Sequence, residues 1–135
     1  MLFYPSEKLA LFIDGANRGE SSMRVLPRVD GGKIVVRADT LAHVVAAEGF
    51  THIDALKLDC EGAEDLILEP FLRVAPRAVW PNIIIVERNP QRWCVDLFGL
   101  IRAYGYREVL RTAQNIAFER TKAEPLPDFS DATMA

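Results

Sequence analysis

Four acidic side chains, Asp59, Glu61, Glu64 and Asp65, fall within seven residues, with Gly62 standing among them. Carboxylates this close can act as general bases, hold polar substrates or offer oxygens to a hard cation. The residues before them, Ala55 to Leu58, read as the end of a buried strand, and a helical pattern starts near Ala63. In an open α/β sheet, chemistry gathers outside the carboxyl ends of the strands. A carboxylate at that point, just before a helix N-terminus, is a site candidate, and the helix dipole favours its ionised form. Acids in a first helical turn also stabilise the helix start with no further role. Periodicity leaves both roles open. Asn82 to Val86 is the clearest strand in the chain and ends in a further acid, Glu87. Its apolar run lacks alternation, as expected of a parallel strand covered on both faces.

The rest of the chain must position these acids. Leu9 to Ile13 reads as a buried strand that runs into the turn-rich Asp14-Gly15-Ala16-Asn17-Arg18-Gly19. That hexapeptide is close to the Gly-rich loop after the first strand of nucleotide-binding folds. The segment after Gly19, interrupted by Pro27, is too short and broken for the long helix such a loop feeds. Val29 to Gly32 is a turn and Lys33 to Arg37 a β-branched strand. Asp39 or Thr40 caps a helix whose apolar stripe is Leu41, Val44 and Val45, and Gly49 ends it. His43 and His52 have no metal-ligand partner at suitable spacing and read as surface or packed histidines.

The helix from Ala63 carries Leu66, Ile67 and Phe71 inward, and Pro70 should break or kink it. Asn89 and Pro90 start a further helix with a stripe of Trp93, Leu97, Ile101 and Tyr104, ended by Gly105. Arg107 to Thr112 and Ile116 to Glu119 read as an antiparallel hairpin, and residues 122–135 as a flexible tail. The order strand, strand, helix, strand, helix, strand, helix, hairpin implies right-handed crossovers and a parallel sheet flanked by helices.

Composition narrows the class. A chain of 135 residues is one domain or part of one, and 50% hydrophobic residues can supply a core. A net charge of -3 gives no basic face for nucleic acid. Cys60 and Cys94 are far apart and form no CxxC pair, so a reducing, cytoplasmic setting is expected. The N-terminus lacks a basic leader, and no apolar stretch approaches a membrane span.

The run Ile53-Asp54-Ala55-Leu56-Lys57-Leu58-Asp59-Cys60-Glu61-Gly62-Ala63-Glu64 resembles the signature of FkbM-type methyltransferases. The resemblance extends through Trp80 to Glu87 and through Gly105-Tyr106 to Asn115. It also runs upstream, through Gly19-Glu20-Ser21-Ser22-Met23 and through Val35 to Leu41, and so covers roughly Leu9 to Arg120. It implies a class I methyltransferase fold, Rossmann-like, whose parallel sheet ends in an antiparallel hairpin. It also implies S-adenosylmethionine as cofactor and a hydroxyl on a saccharide or natural product as acceptor. On that basis Asp59, Glu61 and Glu87 carry the chemistry. Asp59, Cys60 and Gly62 face the cofactor, Glu87 and Asn115 face the acceptor, and Glu64 belongs to the helix face or its cap. Asp59, Glu61 and Glu87 would also suit magnesium, but no metal is assigned.

The sequence departs from the family at the cofactor loop. Asp14 to Gly19 is one residue short of that pattern and leads directly into Glu20-Ser21-Ser22-Met23, so it aligns with a later segment. Residues 1–121 therefore read as the C-terminal part of a methyltransferase domain, inactive alone, whose exposed sheet edge favours a homo-oligomer. Two other classes stay open. One is a non-catalytic module that completes its sheet with another chain. The other is a metal-dependent hydrolase, which no histidine supports.

Overall fold

The computed structural model describes residues 32–121 in full and residues 7–12 by backbone alone. The Asp14 to Gly19 loop, the segment from Glu20 to Gly31 and the expected tail lie outside the described residues. The elements follow the expected order. Strands β1 (Glu7–Phe12) and β2 (Lys33–Ala38) precede helix α1 (Leu41–Ala47), strand β3 (Ala55–Leu58) and helix α2 (Glu64–Val74). Strand β4 (Ile83–Glu87), helix α3 (Leu97–Ala103) and the hairpin strands β5 (Tyr106–Arg111) and β6 (Asn115–Arg120) complete them. No helix among the described residues is long and apolar enough to cross a membrane.

The strands form two sheets instead of one. β1 and β2 pair antiparallel as a two-stranded ribbon, from Glu7 opposite Ala38 to Phe12 opposite Lys33. The main sheet has the order β3-β4-β6-β5. Only β3 and β4 run parallel, and β6 pairs antiparallel with both β4 and β5. The fold is thus α/β with a mixed sheet, consistent with a partial Rossmann-like domain that ends in the expected antiparallel hairpin, and the parallel alternation expected before that hairpin holds only around α2. The reason lies in the connections. β3 and β4 are joined through a helix long enough for a crossover. The two-residue turn Ala113-Gln114 brings β6 straight back along β5.

The core lies between this sheet and α2 and α3. Ile84 and Val86 of β4, Ile116 and Phe118 of β6, Leu68 of α2 and Ile101 of α3 are fully buried. β4 is central, as its apolar run implies, but its burial alternates: Ile83 and Ile85 are only partly covered. β3, expected to be buried, is an edge of the described sheet with only Leu58 inside.

Thr40 caps α1 by accepting the His43 N–H, and Gly49 ends it in a left-handed conformation, φ 73°. Its inward face is Val45, while Val44 is exposed. Pro70 does not end α2, which runs on to Val74. A proline there removes one backbone bond. Burial of Leu68, Phe71 and Leu72 on either side holds the helix through it. The inward stripe is therefore these three residues. Ile67 is partly buried and packs against the same core, and it also lines, with Leu66 and Phe71, an apolar groove of about 130 Å³ between α2 and the start of α1.

The helix expected from Asn89 is shorter than the stripe suggests. A single 3-10 turn, Pro90–Arg92, is followed by extended chain at Trp93, and α3 starts only after Asp96, whose side chain accepts the Gly99 N–H at 3.0 Å. Trp93 is drawn off the stripe because its indole is bound elsewhere, as described below.

Candidate active site

The parallel pairing of β3 with β4 brings the acids together. Leu58 stands opposite Val86, so the next residues, Asp59 and Glu87, emerge side by side at the carboxyl ends of the two strands. On the other side of Glu87, β6 places Asn115 in register. Asp59, Glu87 and Asn115 thus lie in a row across three strands. Glu61, from the turn after β3, completes the group: carboxylate oxygens of Asp59, Glu61 and Glu87 lie within 4.8 Å of one another. The same three oxygens could serve a hard cation such as magnesium.

Like charges this close cannot all stay ionised without cost. The effect falls on Glu87. Burial first, then a hydrogen bond shared with Asp59 and the negative charges of Asp59 and Glu61, push its carboxyl up to about 7 from an ordinary 4.5. The Asn89 amide, which donates to Glu87 Oε2 at 2.9 Å, works against that rise. Asp59 is about half exposed and has Lys57 Nζ at 4.0 Å. A half-shielded carboxyl poised near neutrality beside a second carboxylate is a proton acceptor suited to neutral pH. The Asn115 side-chain oxygen is buried and has no hydrogen-bond partner.

The turn that carries Glu61 is held from beneath. Glu64, expected on the helix face or as a cap, is fully buried. Its Oε1 accepts the N–H groups of Cys60 at 2.9 Å and Gly62 at 3.3 Å. Its Oε2 accepts the Trp93 indole N–H at 2.9 Å. The next acid, Asp65, accepts the Cys94 N–H at 2.7 Å and is almost as buried. Between the two N–H groups that Glu64 binds, Glu61 takes a left-handed conformation, φ 51°, the one positive φ outside glycine among the described residues. Such a conformation costs about 1–2 kcal/mol for a residue with a side chain. Here the bonds on either side hold it.

Gly62 follows at φ 93°, and a Cβ there would collide with the methylenes of Arg92. The glycine is required by this close packing and by its backbone. The N–H groups of Cys60 and Gly62 are both spent on Glu64, and burial raises the Cys60 thiol above its ordinary range, which keeps it protonated. Of the three residues expected to face the cofactor, Asp59 has the exposed side chain, Cys60 is partly covered and Gly62 is buried.

Three residues of this site were not foreseen from the sequence: Asn89, Arg92 and Trp93. By spacing, Asn89 and Trp93 read as the cap and stripe of a helix, yet both turn toward the acids. The Asn-Pro pair at 89–90 was the available signal, since it is as good a turn start as a helix start.

The family model of the Methyltransferase FkbM domain matches residues 2–108. No curated protein and no solved structure matches the chain.

Proposed function

The chain belongs to the FkbM methyltransferase domain family, and from that membership we propose that its acidic strand ends take the proton of an acceptor hydroxyl during S-adenosylmethionine-dependent O-methylation of a saccharide or natural product. The observation that carries the reading is the Asp59–Glu87 pair, with Glu87 raised to about 7 at the carboxyl ends of adjacent parallel strands. S-adenosylmethionine, when bound, would supply an electrophilic methyl group that leaves its sulfonium sulfur for the hydroxyl oxygen, and the hydroxyl proton would have to be taken up by the protein. In this reading it passes to Glu87, and Asp59 shares the hydrogen bond that keeps Glu87 basic. Glu61 adds negative charge that strengthens the base, and Asn115 stands where an acceptor hydroxyl would be oriented. Asp59 is the residue that would reach the cofactor.

Because the chain is read as the inactive C-terminal part of a domain, the test uses a longer protein that joins it to a complete cofactor loop, and follows transfer of labelled methyl from S-adenosylmethionine to saccharide acceptors. The rate should rise as pH increases through about 7 and fall by roughly 100-fold or more in Glu87→Gln, the usual scale for losing a general base. Transfer at the unaltered rate in Glu87→Gln would end the proposal.

A second reading rests on a separate observation: the outer edge of β3 has no partner strand among the described residues. An open edge invites pairing, so the chain could complete its sheet with another copy. Sedimentation that gives only the monomer mass over a wide concentration range would remove this reading.

A further inference from the structure

The open edges of the two sheets differ. In the main sheet, β5 is interrupted by a bulge between Glu108 and Leu110 and carries Arg107 and Arg111, while β3 offers four residues with Lys57 among them. Bulges, short length and charged side chains all discourage a further strand. β2 is six residues long and unbroken in its pairing with β1, and its other side has no partner strand among the described residues. Its centre is Ile34, Val35 and Val36, which are 50%, 64% and 36% exposed, and its charges, Lys33 and Arg37, stand toward its ends. Side chains alternate along a strand, so these three aliphatic residues present both faces of β2 to solvent, and none of them belongs to the core. A two-stranded ribbon is marginal alone and gains from further strands.

We propose that β2 pairs antiparallel with β2 of a second copy, about a two-fold axis at Val36, to make a four-stranded sheet in the order β1-β2-β2-β1. Such a contact is self-complementary, the same strand serving on both sides. Charge selects the register. With Val36 opposite Val36 of the second copy, Ile34 stands opposite Ala38, and Lys33 stands opposite Asp39 at each end. With Val35 on the axis instead, Lys33 stands opposite Arg37 at each end. Opposite charges directly across a strand pair stabilise it and like charges destabilise it. A slip of one residue sets Ile34 beside Arg37 and mixes the aliphatic and charged faces. Asp39 is ionised for this role, because its hydrogen bond to His43 and the Thr40 N–H hold its carboxyl below the usual range.

This contact is distinct from pairing at β3, which lies in the other sheet. It is also independent of methyl transfer, since no residue of the acid group takes part.

The experiment is sedimentation equilibrium of the 135-residue chain over a wide concentration range, with circular dichroism of each variant to show that it is folded. A reversible dimer is expected. Val36→Lys places two ammonium groups on the axis and should raise the dimer dissociation constant by roughly 10-fold or more. Lys33→Glu sets a carboxylate against Asp39 and should also weaken the dimer. Adding Asp39→Lys to Lys33→Glu exchanges the charges and should restore it, with Thr40 still capping α1. A chain that stays monomeric overturns the inference, as does a charge exchange that fails to restore the dimer. So does a dimer that Val36→Lys leaves as tight as before, which is the result expected if the copies pair through β3.

Discussion

Two pairs of acids border the turn after β3 and have opposite fates. Glu64 and Asp65 are almost wholly buried, yet backbone and indole N–H groups satisfy them. Asp59 and Glu87 are more exposed, yet they face each other and Glu61. The pair with good donors forms the foundation of the turn. In the other pair, Glu87 has its proton affinity raised by burial and by its acidic neighbours. Burial alone does not mark the candidate site here; what marks it is a partly buried acid that shares a hydrogen bond with another acid.

The contrast is sharpest if the foundation is removed. Glu64→Ala leaves the N–H groups of Cys60 and Gly62 and the Trp93 indole without their acceptor, at about 1–3 kcal/mol for each buried donor. The summed loss, about 3 kcal/mol or more, should appear in urea unfolding as a lower midpoint or an unfolded chain. A Glu64→Ala protein as stable as the unmutated one would erase the distinction between the pairs. Asp65→Ala should cost less, about 1–2 kcal/mol, from loss of the bond to the Cys94 N–H.

The other pair should respond in the opposite direction. Glu87 binds its proton more tightly when folded, at about 7 against an ordinary 4.5. Its contribution to stability is complete below about 4.5 and is lost as pH rises through about 7. Glu87→Gln, which cannot ionise, should therefore stabilise the fold at pH 8 by an amount on the order of 1 kcal/mol, seen as a higher melting temperature, and change it little at pH 4. A loss of stability at pH 8 would mean that the Glu87 carboxylate is favourably held there. The smallest effect belongs to acids paired with cations in water. Removing the exposed Arg107 partner of Glu119, which lies at 2.9 Å, should leave the melting temperature essentially unchanged.

Much of this arrangement was legible in the residues. The span of β3, the turn at Asp59 to Gly62 and the position of β4 follow from apolar runs that stop at acids. Parallel pairing then makes Asp59 and Glu87 neighbours. Local patterns could not show which acids would be satisfied. Glu64 and Asp65 look like ordinary first-turn acids until Trp93 and Cys94, nearly thirty residues later, arrive as donors. The same long-range bond explains the misplaced helix start, because Trp93 fits a helical stripe by spacing but gains more from Glu64. The exposed Val44 and the antiparallel β1–β2 ribbon had no local signal, since strand periodicity does not specify direction or partner.

The central claim is that Asp59 and Glu87 form one proton-accepting unit, and the most direct measurement is the Glu87 titration in the unmutated chain beside Asp59→Asn. A midpoint near 7 is expected in the unmutated chain. Asp59→Asn should bring a clear fall that stops above the ordinary carboxylate value, because burial, the largest cause of the rise, remains. A Glu87 that titrates as an ordinary carboxylate in the unmutated chain, or one whose midpoint ignores the loss of Asp59, would contradict it.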